Sequence, residues 1–225
     1  MANVEHSTLT GSDLHEPKGI AAAAANRAYI SNGAGSGTWS QVPAAAIAAA
    51  GVLVFQSQFY HARNELASGT DGNTLTVSTW NTRAIDTEKT DDLSITLSGN
   101  QFTLTTGTYY VECQAVTSFL GLPPRGGTQD VTSKLRLRNI TDSTSTLTGL
   151  GSKFHVNDDG GGNNEDAEVH LITTVSGRFA IVGSKVFEIQ NWVTNNWNSP
   201  VTKAGKAISS GENEVYLDLK IWKTA

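Results

Sequence analysis

The sequence predicts a mainly β protein: a two-sheet sandwich of jelly-roll type, preceded by an extended N-terminal arm. Three observations lead there. From Gly51 onward, short runs rich in Val, Ile, Thr, Tyr, Phe and Leu follow one another with turn residues between them. Three of those runs alternate cleanly between apolar and polar positions, as in sheets with one buried face. From Met1 to Gln41, by contrast, no apolar pattern of period 2 or 3.6 is long enough to build a core.

Composition narrows the function classes. At 225 residues the chain allows one full domain plus extensions. Charged residues make up 16% and the net charge is −5, with no clustered tract of Lys and Arg, so a nucleic-acid partner is not expected. No run approaches the roughly 20 apolar residues of a membrane span. The N-terminus lacks the basic region of a secretory signal, and Ala21–Ala25 is too short and too weakly apolar to serve as its core. The single cysteine, Cys113, excludes an intrachain disulfide. The expectation is a chain made in a reducing cytoplasm without an export step.

The arm and its linker occupy residues 1–50. Their large apolar residues are few and scattered: Leu9, Leu14, Ile20, Tyr29, Ile30 and Trp39. Such a segment buries too little apolar surface to offset the entropy of ordering it, so it is expected to lie on another protein. In Leu14-His15-Glu16-Pro17-Lys18-Gly19, Pro17 and Gly19 break any helix. Alanine has the best helix propensity, so Ile20 to Tyr29 is expected to form two or three helical turns. They would be marginal in isolation. Gly33 to Gly37 forms a glycine-rich link, and a second short helix is expected from Pro43 to Gly51.

The body, residues 51–225, is expected to hold strands at Val52–Tyr60, Leu75–Ile85, Leu93–Leu97, Gln101–Leu104, Thr108–Val116, Val131–Ile140, Glu168–Val175, Arg178–Val182, Lys185–Trp192 and Glu214–Trp222. Tyr109, Val111, Cys113 and Ala115 share one face of their run. In Lys134-Leu135-Arg136-Leu137-Arg138 the leucines face in and the cations out. In Glu214 to Ile221 the aliphatics form one face, and polar groups with Tyr216 form the other. About ten such strands suit a two-sheet sandwich.

Thr79-Trp80-Asn81-Thr82-Arg83, Asp86-Thr87, the hairpin from Ser98 to Tyr109, Phe187-Glu188-Ile189-Gln190 and the closing Val215-to-Lys223 tail resemble, in this order, the C1q/TNF-like globular domain at the ends of phage virion proteins. Leu14 to Gly19 looks like a segment near the N-termini of small phage structural proteins. The resemblance spans roughly residues 52–225. It implies a homotrimer of jelly-roll protomers around a threefold axis, and no enzymatic activity. Tyr110, Tyr216 and Trp222 are the aromatics expected at the trimer interface. The loop from Asn157 to Asp166 departs from the family pattern in being longer and more acidic.

Candidate chemistry is sparse. Asp158, Asp159, Asn163, Glu165 and Asp166 offer oxygen ligands for calcium, but their spacing fits no EF-hand loop, so a solvated loop is expected. His15-Glu16 lacks the second histidine of a zinc helix, and Pro17 prevents that turn. His170 falls on the outward side of its strand. Cys113 lies among core residues and is expected to be inert. No nucleophile elbow, phosphate loop or paired-carboxylate signature occurs. The expectation is therefore no cofactor, no metal and no catalytic residue. Trp192 and Trp197, with nearby asparagines, suggest a glycan-stacking surface; the plainer alternative is interface packing and a turn.

Two readings follow. In the first, the protein is a homotrimeric capsid decoration or cement protein of a virion, fastened to the major capsid protein by its arm. Leu14, His15, Glu16, Pro17, Lys18, Gly19, Ile20, Tyr29 and Trp39 are the attachment residues. In the second, it is a tail fibre or spike held by a tail or baseplate protein, with its body meeting a host surface glycan. A fibre normally carries a repetitive shaft, which this chain lacks, and that favours the first.

Overall fold

Alternation becomes two antiparallel sheets in the computed structural model, which describes residues 28–31, 37–41, 58–123, 130–156 and 167–224. The chain divides into two units, Met1–Val54 and Phe55–Ala225. In the first, β1 (Ala28–Ser31) pairs antiparallel with β2 (Gly37–Ser40), setting Tyr29 opposite Trp39. The helical turns expected from Ile20 thus give way to a strand at Ala28 and Tyr29. Tyr29, Ile30, Thr38 and Trp39 suit a paired strand better than a short helix. Residues 20–27, and the second short helix expected up to Gly51, lie outside the described residues.

The second unit is a sandwich of two six-stranded sheets. One runs β11 (Ala167–Ile181), β8 (Gly107–Leu122), β14 (Glu214–Lys223), β3 (Phe59–Leu66), β5 (Thr87–Asp91), with β13 (Asn198–Lys203) also on β8. The other runs β10 (Thr144–His155), β9 (Asp130–Asn139), β12 (Lys185–Asn195), β7 (Gln101–Leu104), β6 (Thr96–Ser98), with β4 (Trp80–Thr82) also on β12. Among the described residues there is no helix.

Several expected elements shift. Of the strand expected at Val52–Tyr60, residues 52–57 lie outside the described residues and Phe59 and Tyr60 open β3; Leu75–Ile85 keeps only β4. The runs at Glu168–Val175 and Arg178–Val182 are one strand, β11. Gly177, which reads as a turn, instead makes room: a Cβ there would stand 2.8 Å from Leu147 Cδ2. β5, β10 and β13 were not expected.

The core has two apolar clusters. The larger includes Tyr109, Val111, Cys113, Ala115, Leu135, Leu137, Val175, Phe187, Ile189 and Leu219. The smaller includes Phe119, Val131, Leu171, Val193 and Trp197. Between them, four strands each present one polar residue inward: Thr117, Ser133, Thr173 and Asn191, all buried. Thr117 Oγ1 donates to Asn191 Oδ1 at 2.8 Å, and Asn191 Nδ2 donates to Ser133 Oγ at 2.9 Å. Arg83, 1% exposed, completes this layer. Its guanidinium donates to Val116 O (3.0 Å), Asn191 Oδ1 (3.0 Å), Ala204 O (2.6 Å) and Tyr216 O (3.0 Å). Burial draws the Arg83 guanidinium down to about 10, so it stays charged at neutral pH.

Candidate functional site: the outer face of the sheet β11-β8-β14-β3-β5

Inward positions of this sheet are spent on the core, so the alternate positions face out. Register arranges them in rows. The first crosses four strands: Phe59, Trp222, Tyr110 and Arg178. Its rings touch in series, with Phe59–Trp222 centroids 5.2 Å apart and Trp222–Tyr110 centroids 5.7 Å apart. Such pairs contribute about 0.5–1.5 kcal/mol beyond simple burial.

The next rows are charged. His61 Nε2 and Arg63 Nε each lie 2.6 Å from Asp218 Oδ1, and Lys220 Nζ lies 2.9 Å from Asp218 Oδ2. Burial alone would raise the Asp218 carboxyl. The hydrogen bonds from His61, Lys220 and Arg63 outweigh it and hold the group well below the usual carboxylate range. Beyond them the face turns apolar again. Ile172 and Val215 are 64% and 38% exposed, at the rim of an open recess of about 180 Å³ that Val116 and Asp218 also line. Arg83 holds the backbone behind this recess, at Val116 O and Tyr216 O.

One cluster on the same face has the composition of a nucleophile relay. Ser118 Oγ and His170 Nδ1 are 2.8 Å apart, and His170 Nε2 is 2.9 Å from Glu168 Oε1. The Ser118 hydroxyl cannot meet a substrate, because the residue is 0% exposed. The cluster reads as a cross-strand bond between β8 and β11 with a surface ion pair, worth little at this exposure.

The aromatics expected at an interface divide. Tyr110 and Trp222 lie on this face. Tyr216 does not: it is 3% exposed and its hydroxyl donates to Thr70 O at 2.8 Å. The cause is a bulge, a register shift between Val215 and Leu217 that turns Tyr216 inward and leaves Val215 outside. The tryptophans divide too. Trp197 is 3% exposed in the smaller core cluster, so it offers no stacking surface. Trp192 is half-buried on the outer side of the other sheet, where register sets it against Trp80, centroids 5.7 Å apart and rings edge-on.

Of the attachment residues, Leu14 to Ile20 lie outside the described residues; Tyr29 and Trp39 are opposed in the β1–β2 pair. The loop from Asn157 to Asp166 also lies outside the described residues. Among the described residues no group of three or more His, Cys, Asp or Glu could hold a metal ion, and no helix is long and apolar enough to cross a membrane. Cys113 is buried, and burial pushes its thiol well above its ordinary value. Sequence reasoning missed Phe59, Asp218 and Trp80 as parts of outward clusters. Phe59 and Trp80 acquire their neighbours only through pairing with distant strands.

Fold and face together define an antiparallel β-sandwich with one aromatic, partly apolar outer sheet. No protein-family model matches the chain, and no curated protein does. Among solved structures it is similar to the globular domain of zebrafish complement 1qA protein, at 10% identity and a TM-score of 0.35, over 74% of this chain and 96% of that one.

Proposed function

We propose that the chain is a non-enzymatic structural protein of a phage particle. Its body is a C1q/TNF-like jelly roll that trimerises through the outer face of β11-β8-β14-β3-β5. Its N-terminal segment fastens the trimer to the major capsid protein as a decoration or cement. The observation that carries the oligomer is the row Phe59–Trp222–Tyr110 with Ile172 and Val215 beyond it. Large aromatics in contact on an outward face are the usual anchors of protein interfaces. The phage assignment rests on the sequence resemblance, and the attachment role on the poverty of apolar residues in 1–50.

An arm that gains affinity from backbone bonds and a few anchors binds weakly by itself, because ordering it costs free energy. Three arms on one trimer raise avidity by about 10²–10⁴. Deleting residues 1–42 is expected to leave a folded trimer by light scattering that no longer joins particles. A truncated trimer that decorates particles at normal occupancy refutes the attachment role. A monomer at micromolar concentration refutes the interface. The tail-fibre or spike reading is favoured by one feature, the Trp80–Trp192 pair on the opposite sheet.

A further inference from the structure

The outer side of the other sheet carries charge against the sign of the whole chain, whose net charge is −5. Along β9 the residues Val131, Ser133, Leu135 and Leu137 face in, so Lys134, Arg136 and Arg138 face out in file. Alternate residues of a strand stand about 6–7 Å apart, close enough for like charges to repel. Burial, then the neighbouring Arg138 charge, lowers the Arg136 guanidinium from its ordinary value, and the Glu188 charge offsets only part of this.

Counter-charges go elsewhere. Lys153 and Lys185, on the strands to either side, are held by Asp130 and Asp142, each at 2.7 Å. Among the described residues Lys134, Arg136 and Arg138 form no such ion pair. The acid nearest in register is Glu188, opposite Arg138. It is 5% exposed, and its oxygens accept from Gln101 and Gln190.

An aromatic platform adjoins this file. Lys134 is paired with Trp192, and Trp192 with Trp80. The Arg136 guanidinium lies over the Trp80 ring at 3.9 Å and is steadied by donation to Gln190 Oε1 at 2.7 Å and Ser145 Oγ at 3.1 Å. One face of Trp80 is thereby taken by the guanidinium, and Trp80 and Trp192 are both half-buried, Trp192 lying beside the cations.

We propose that this face binds an acidic polysaccharide, whose carboxylate or sulfate groups meet Lys134, Arg136 and Arg138 while a sugar ring lies on Trp192. Guanidinium and ammonium groups bond such anions strongly, and Arg136 is already oriented. A single-stranded nucleic acid fits less well. It is bound by several successive stacking platforms along a basic groove, and this face offers a single indole pair whose Trp80 ring Arg136 already occupies. The inference is independent of whether the particle position is shell or tail, and of the trimer face.

The test uses the full-length protein and three glycans: dextran sulfate, alginate and neutral dextran, with a thymidine 20-mer alongside. Tryptophan fluorescence and calorimetry read the binding. At least one of dextran sulfate and alginate is expected to bind and to weaken with added salt, and dextran not to bind. The Lys134→Gln/Arg138→Gln double variant is expected to lose about tenfold or more in affinity. Trp192→Ala is expected to lose the fluorescence change. Unaltered melting of these outward variants separates lost binding from lost folding. The proposal is overturned if neither acidic glycan binds, if neutral dextran binds as well, if the double variant binds unchanged, or if the oligonucleotide binds as tightly as the better glycan.

Discussion

Replacing Arg83 by Met tests what the buried cation does for the body. Val116 O, Ala204 O and Tyr216 O lose the guanidinium as donor, while Asn191 Oδ1 keeps the bond from Thr117 Oγ1. A buried acceptor left unbonded costs about 1–3 kcal/mol, so the gross loss is several kcal/mol. Against it stands the relief of no longer dehydrating a guanidinium, itself several kcal/mol. Removing one partner of a buried charged network typically nets about 3–5 kcal/mol of destabilisation. At about 2–4 °C per kcal/mol for a domain of this size, the melting temperature is expected to fall by about 6–20 °C. Lysine keeps the charge but brings one nitrogen in place of a fork, so Arg83→Lys is expected to recover less than half of the loss. Far-UV circular dichroism with heat and urea measures both. A Met variant melting at or above the parent's temperature refutes the reasoning, because dehydration would then outweigh the bonds.

Two further outcomes are expected. Asp71 accepts from Ala207 N at 2.9 Å and from Lys203 Nζ at 2.5 Å, and these bonds pull its carboxyl from 3.8 to about 2. A carboxyl depressed on folding contributes stability that is complete above its unfolded value and is lost as pH falls through the folded one. Asp71→Asn is therefore expected to lower the urea midpoint at pH 7 and to match the parent near pH 2; an equal deficit at both refutes the pairing. Cys113 is 0% exposed in the main core cluster. The native protein is expected to resist thiol reagents until it unfolds, and Cys113→Ser to cost about 1–3 kcal/mol by urea denaturation. Rapid labelling of the folded protein contradicts that.

The readability of the sequence depended on where each residue's partner lay. β8 and β9 alternate with their own burial, so Tyr109, Val111, Cys113 and Ala115, and Leu135 and Leu137, read correctly as core. β10 was missed because it is mostly exposed and rich in Thr, Ser and Gly, with nothing that alternates. Its Gly149 is a close-approach position, where a Cβ would stand 2.1 Å from Thr174 O on the facing sheet. β13 was missed because Pro200 breaks the pattern; a register shift in its pairing falls between Asn198 and Val201. Tyr216 was placed on the wrong side because period-2 counting has no way to anticipate a bulge. Trp197, which the sequence offers either as a stacking surface or as part of a turn among asparagines, lies in the core, because Asn195 turns inward with it and accepts from its backbone N–H at 3.1 Å. The outward clusters were least legible of all. Phe59, Trp222 and Tyr110 lie in three separate segments and meet only through strand pairing.

The polar residues between the two apolar clusters also act as an alignment mark. Sliding a strand by one residue turns its apolar side outward and is excluded at once. Sliding it by two keeps apolar residues inside and would go almost unpunished in an all-aliphatic interior. Here β8, β9, β11 and β12 each carry a polar notch at the level between the two apolar clusters, Thr117, Ser133, Thr173 and Asn191. A two-residue slip of β12 would move Asn191 away from Thr117 and Ser133 and into an apolar cluster, stranding its amide. Only one set of offsets brings the four notches and Arg83 to the same level. Arg83 ties β14 to the same level through Tyr216 O, and with that level Trp222 stands beside Tyr110 on one exterior and Trp80 beside Trp192 on the other.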